Sequence, residues 1–311
     1  MDPVLRAALL SWDFRLEVIL VLVLAGALYT RGWLRLRSLR REPRRSAGSA
    51  AAAEHGRLAT GGRLAAYLSA LVVLGLALMS PIDVLGGQLF SMHMVQHMLM
   101  IIVAPPLLWL ASPLPFAMWG LPVRARRQVA TWLKPGSTFR RRLRALTSPG
   151  IAWMLFVVVL VGWHDPGAYQ AALRNQLVHD LEHLSFFVTA MLFWWHVICA
   201  APHIHKRLPR GARIAYILAV VPANMAVGAT IAFSGQPIYP YYVGVPRLWG
   251  MTVLQDQMLS GIIMWIPGSM MYILAALILI SRWLGEEEQK PPLPESAWAK
   301  EENMAAPGVE G

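Results

Sequence analysis

Residues 87–112 read GQLFSMHMVQHMLMIIVAPPLLWLAS, an apolar run that carries two histidines, His93 and His97, four positions apart. The run is longer than the roughly 20 helical residues that cross a bilayer, so it predicts a membrane-spanning helix. An i, i+4 spacing stacks both rings on one face of that helix. A second apolar run repeats the spacing in His179-Asp-Leu-Glu-His183. An ionisable ring in hydrocarbon is costly and usually faces a bundle interior, where it marks a functional site. Two such pairs suggest a metal or a cofactor.

Working outward, the chain has 311 residues, is 56% apolar and 14% charged, and contains 13 tryptophans. Seven apolar runs, at about 14–30, 64–80, 87–112, 149–165, 177–200, 213–233 and 254–282, predict an all-α, polytopic membrane bundle of about seven helices. The first run could be mistaken for a signal peptide. Asp2 before it, the more basic flank after it and the lack of a small-x-small cleavage site favour a retained span.

The net charge of +11 does not point to nucleic acid, because the basic residues lie in short loops. The loops after the first, third and fifth runs hold 21 arginines and lysines, against Arg174 and Arg247 in the alternate loops. By the positive-inside rule this places the N-terminus outside and the C-terminus in the cytoplasm. Residues 1–284 read as one transmembrane domain, interrupted by an Ala, Ser and Gly-rich cytoplasmic linker at 41–62. Residues 285–311, with Pro291, Pro292 and Pro294, read as a disordered tail. Pro105-Pro106 should kink or end the third helix, leaving 107–120 as a broken or re-entrant stretch.

With orientation assigned, both histidine pairs fall in the outer leaflet. His164-Asp165 closes the fourth run there, Asp83 follows the second, and Asp256-Gln257 opens the seventh. At 100° per residue His93, His97 and Met100 share an arc, whereas Met94 and Met98 point elsewhere; His179, His183 and Phe186 share another, with Glu182 beside it. Cys199 is the only cysteine, so soft-metal chemistry must use His, Met or carboxylate. The candidate ligands are therefore His93, His97, His164, His179, His183 and Met100, a donor set suited to copper. Glu182, Asp83, Asp165 and Asp256 are candidates to hold the rings by hydrogen bonds. Each has a structural alternative: His164 as a helix-end hydrogen-bonder, Met100 as core filler, Asp256 with Gln257 as an interhelical clasp. His196, His203 and His205 lie at the other end, in the basic loop, and Trp194, Trp195 and Trp265 read as packing or interface anchors.

Met79-Ser-Pro-Ile-Asp83, His93-Met-Val-Gln-His97, Ala104-Pro-Pro, His164-Asp-Pro, His179-Asp-Leu-Glu-His183, Phe193-Trp-Trp and Asp256-Gln257 occur in that order. Together they resemble the CtaG family of cytochrome c oxidase assembly factors from about Leu64 to Trp283. His196 after the tryptophan pair and Met258 after Gln257 depart from the family pattern. The resemblance implies a non-enzymatic protein of the bacterial plasma membrane that helps mature a haem-copper oxidase by handling copper, with oxidase subunits as partners. Self-association into a homo-oligomer is left open. Two other classes compete: a haem-binding oxidoreductase of the quinol or cytochrome b type, with bis-histidine ligation, and a copper transporter. Stacked i, i+4 histidines lie about 6 Å apart along the axis, too close for two haems. The absence of a polar path toward the basic end disfavours transport.

Overall fold

Hydrocarbon offers no partner to a backbone amide, so each apolar run must satisfy its own hydrogen bonds as a helix. The computed structural model describes residues 3–39 and 58–289, and among these no strand occurs. The helices are α1 (Pro3–Leu10), α2 (Leu16–Leu39), α3 (Gly61–Met79), α4 (Pro81–Gly86), α5 (Phe90–Leu110), α6 (Pro113–Gly120) and α7 (Val123–Leu133). They continue with α8 (Thr138–Leu146), α9 (Pro149–Trp163), α10 (Pro166–Arg174), α11 (Gln176–Ile198), α12 (Arg210–Leu218), α13 (Val221–Phe233) and α14 (Val253–Glu288). Six spans are long and apolar enough to cross a membrane, α12 and α13 together forming one of them; a seventh results if α8 and α9, bent by 51°, count as one. The all-α polytopic reading holds.

Boundaries differ from expectation at both termini. α2 runs on to Leu39, so Arg35 and Arg37 lie on the helix; Arg37 sits over the Trp33 ring at 4.7 Å, and Arg35 donates to the Trp119 carbonyl. α14 continues to Glu288, which removes 285–288 from the expected tail; residues 290–311 lie outside the described part. Of the expected linker at 41–62, residues 41–57 likewise lie outside it, and Gly61 and Gly62 already open α3 behind the Thr60 cap.

Pro105 and Pro106 do not end α5. Residues Leu99–Val103 form a π-helical turn in which the Ala104 N–H reaches back to the Leu99 carbonyl. A proline cannot donate to the carbonyl four residues back, and the wider turn absorbs the pair without breaking the rod. The carbonyl of Ile101, deprived of its Pro105 partner, accepts the indole N–H of Trp194 at 2.9 Å. Only at Ser112, with φ +53°, does the chain turn, and α6 then lies across α2 as a separate helix. The stretch 107–120 is thus helix, turn and helix.

α5 and α11 are the inner helices: more than half of each span is buried, against about a fifth of α2 and α3. α5 forms a wall between two apolar clusters. One gathers Phe90, Phe156, Phe186, Phe193, Trp194 and Tyr272. The other gathers Tyr29, Trp33, Tyr67, Met100 and Phe116, with Tyr29 and Tyr67 stacked 3.8 Å apart. Where helices cross closely the contact is glycine: a Cβ on Gly261 of α14 would overlap the backbone of Gly228 and Ala232 on α13. Small residues at such crossings let backbones approach without a hydrophobic drive between helices.

Polar staples fix the end that carries the histidine pairs. The Asp256 carboxylate on α14 accepts the N–H groups of Phe90 and Ser91 at 2.9 and 3.0 Å and also meets Arg247 at 3.3 Å. These are orphan donors of the first turn of α5, where a negative charge is also favoured. Gln257 accepts from Ile238 N–H and donates to the Ile231 and Gln236 carbonyls. Gln96 on α5 donates to the Ala77 carbonyl at 2.8 Å and to Asp83 of α4 at 2.5 Å. Arg15, before α2, pairs with Asp180 of α11 at 2.8 Å. The basic loops gather at the opposite end, where His196 donates to the Thr147 carbonyl and His205 meets the Thr147 hydroxyl.

Two measurements check these contacts. Gly261→Leu drives side-chain atoms into the α13 backbone and lowers the melting temperature in detergent, overpacking of this kind costing about 1–3 kcal/mol; an unchanged melt contradicts the crossing. Burial pushes the Asp83 carboxyl up to about 6, against the pull of its Gln96 hydrogen bond. An acid raised on folding costs stability as pH rises from about 4 through 6, and the penalty stays in place above that window. Asp83→Asn keeps the Gln96 bond and removes the charge, so its stability gain over wild type appears at pH 8 and vanishes below pH 4.

Candidate metal centre

Helical spacing and tertiary packing bring the two pairs face to face. The His93 and His97 rings on α5 lie 4.3 Å apart between centroids, and His179 and His183 on α11 lie 4.1 Å apart. Across the interface His93 is 5.3 Å from His179 and 5.9 Å from His183, and His97 is 5.3 Å from His183. The ligand atoms of His93, His97 and His183 all lie within 4.8 Å of one another, as do those of His93, His179 and Glu182. Four histidines expected to share one leaflet therefore share one site.

Glu182 has a larger part than expected. Its carboxylate is fully buried, with Oε1 3.7 Å from His93 Nε2 and 3.6 Å from His97 Nε2. Those separations match the donor-to-donor distance of about 3.4 Å around a tetrahedral ion with bonds of roughly 2.1 Å. Neither carboxylate oxygen has a hydrogen-bond partner. The same holds for Nε2 of His93, His97 and His183 and for Nδ1 of His97. An unsatisfied buried polar atom costs about 1–3 kcal/mol, and here several point at one another. The donor set fits a cation held by imidazole and carboxylate.

His164, the C-cap of α9, places Nδ1 2.6 Å from the Leu160 carbonyl. It is a helix-end hydrogen-bonder, and the proton that bond requires leaves Nε2 with its lone pair; that atom is buried and unpartnered. His164 stays outside both clusters of ligand atoms but lines, with His97, Met94, Met98 and Met264, a cavity of about 20 Å³.

Met100 is corrected. It packs in the Tyr29–Tyr67 cluster, because the π turn beginning at Leu99 advances each residue by less than the regular 100° and so shifts the phase. Met94 and Met98, assigned to other faces by the regular period, are the α5 thioethers on the histidine side. Three carboxylates also depart from the expected ring-holding role. Asp165 is exposed and caps α10 through Gly167 and Ala168 N–H. Asp256 is the clasp on α5, and Asp83 is engaged by Gln96. Both Asp256 and Asp83 thus act on the backbone and helix that carry His93, not on a ring.

The site has a mouth. A polar cavity of about 510 Å³ is lined by Asp13, Asp83, His93, Arg174, Gln176 and His179 at the end away from the basic loops. On the far side of the histidines Phe186 closes against His97 at 4.7 Å, and Tyr169 against His93 at 5.1 Å. Tyr169 also bonds Tyr242, whose hydroxyl donates to the Gly86 carbonyl. Tyr169, Tyr239 and Tyr242 carry no mark in the sequence: they belong to none of its histidine or carboxylate motifs.

The family described as cytochrome c oxidase caa3 assembly factor matches residues 27–286. Uncharacterized proteins of Mycobacterium bovis and Mycobacterium tuberculosis are each 28% identical over 251 residues, which is 78% of this chain and 37% of theirs. An uncharacterized protein of Mycobacterium leprae is 26% identical over 235 residues, 73% of this chain and 35% of its own. The chain therefore spans little more than a third of the length of these curated relatives. No solved structure matches it. The family match takes in both histidine pairs, Glu182 and Asp256, and on that ground the chain belongs to the cytochrome c oxidase caa3 assembly factor family.

Proposed function

We propose that the protein takes up a copper ion at His93, His97, His179, His183 and Glu182 and presents it to a haem-copper oxidase subunit during assembly in a bacterial plasma membrane. One observation carries this reading: buried ligand atoms of His93, His97, His183 and Glu182 have no hydrogen-bond partner, and they fall in two overlapping trios, His93–His97–His183 and His93–His179–Glu182, that share His93. The copper is cargo, and the protein performs no chemistry on it. Imidazole and carboxylate alone also suit zinc, but the thioethers of Met94, Met98 and Met264 line the adjoining cavity and favour a softer ion. Asp13 and Asp83 at the mouth supply negative charge where a cation would enter. By the charge rule this mouth faces outward, where an assembling oxidase subunit would meet it.

The competing readings have less support. The cavity beside His97 and His164, about 20 Å³, is on the scale of one water, so a porphyrin has no slot between the rings. Toward the basic end the cluster gives way to Phe186, Phe193 and Trp194, which offer a cation no path.

The purified protein should retain copper, and His93→Ala/His97→Ala should lose at least about a hundredfold in affinity, beyond the 10–100-fold typical of outer partners. Equal retention by wild type and double variant sinks the proposal. Met98→Leu should weaken Cu(I) and leave Zn(II) unchanged. In cells, Glu182→Gln should lower oxidase activity while the protein's abundance in the membrane stays constant.

A further inference from the structure

Away from the histidines, a laterally open cleft of about 330 Å³ runs between α5, α11 and α14. Its walls are apolar: Leu107, Leu110, Trp194, Met271, Leu274 and Ile278. From Met271 to Arg282 it follows α14 for 12 residues, about 16 Å over the 11 rises of 1.5 Å, or about half of a 30 Å hydrocarbon core. That is the depth of one leaflet.

At its basic end the cleft meets a second cavity of about 310 Å³, with Ile198, Arg213, Leu279 and Arg282 common to both. Arg207, Arg210, Arg213 and Arg282 converge there, beside Trp283. Glu286 pairs with Arg210, and Arg213 donates to the Val197 carbonyl. Among the described residues no carboxylate lies within ion-pair distance of Arg207 or Arg282. Four guanidinium groups face one carboxylate, which leaves an excess of positive charge directly above an acyl-sized apolar slot. Trp283 sits at the junction, as tryptophans do at headgroup level.

We propose that this composite cleft is a binding site for one anionic phospholipid, its acyl chain against Leu274 and Ile278 and its phosphate between Arg207 and Arg282. Arginine forks match phosphate oxygens two at a time, and basic pockets between spans on the cytoplasmic side suit anionic headgroups. The occupant is a lipid because the apolar arm is continuous with the phosphate arm and opens sideways. A soluble phosphate compound would leave the longer arm unused.

The test is native mass spectrometry of the full chain released from nanodiscs containing equal phosphatidylglycerol and phosphatidylcholine. Wild type should retain phosphatidylglycerol in preference, and Arg207→Gln/Arg282→Gln should lose about fivefold of that preference for each arginine removed. Ala275→Trp, which fills the apolar arm, should lower retention of phosphatidylglycerol with all arginines in place. Inorganic phosphate at matched concentration should not displace the lipid. Equal retention of the two lipids by wild type, an unchanged preference in the arginine variant, or displacement by phosphate overturns the proposal. The melting temperature in detergent, read on the same samples, reports whether each variant is folded, and an unchanged melt with lost lipid preference separates binding from stability.

Discussion

A buried backbone polar group needs a partner, and in a bilayer water is not there to supply it. This constraint organises the structure. Each place where regular helix fails has a side chain assigned to it: Trp194 to the Ile101 carbonyl at the proline pair, Asp256 to the open first turn of α5, Tyr29 to the Ala111 carbonyl at the α5–α6 turn. Asn224 reaches the Met264 carbonyl and Ser269 on either side of Pro267. Against that background of satisfied backbone groups the His–Glu cluster holds most of the buried side-chain atoms that lack a partner among the described residues.

The clasp by Asp256 links fold to site. It ties α14 to the first turn of α5, three residues before His93, while Gln96 ties the next turn to α3 and α4. Arg15 performs the same task for α11 by engaging Asp180, next to His179. Each histidine pair is thus anchored close by from a different part of the chain. Rigid support of this kind holds a constellation of ligands more closely than loops can.

Much of this was legible in the sequence. The seven apolar runs, the charge asymmetry of the loops and the i, i+4 pairs each rest on a single period or count, and local rules suffice for them. Helix direction put His93, His97, His179 and His183 at one end of the bundle; that the pairs face each other came from the packing of α11 on α5. What failed depended on information beyond one helix. The π turn at Leu99–Val103 shifted Met100, because a wheel drawn at 100° cannot anticipate a change of pitch, whereas Met94 and Met98, ahead of that turn, meet the histidine side through the packing of α5 against α9 and α14. Asp165 and Asp256 became backbone caps because a carboxylate at a helix start competes for N–H groups before it reaches a ring. Glu182, on the edge of its arc, was drawn to the centre by the packing of α11 on α5.

The π turn has a mechanical consequence. It is the least regular point of an otherwise continuous rod, and His93 stands 10 residues, or about 15 Å, from its far end at Val103. A pivot of about 5° there carries the imidazole through about 1.3 Å. That exceeds the gap between the Glu182–His93 and Glu182–His97 separations, 3.7 and 3.6 Å, and the roughly 3.4 Å of a four-coordinate ion. A small change of pitch at this one turn would therefore alter the grip of the site, and the Asp256 and Gln96 contacts on the His93 arm hold it against that change.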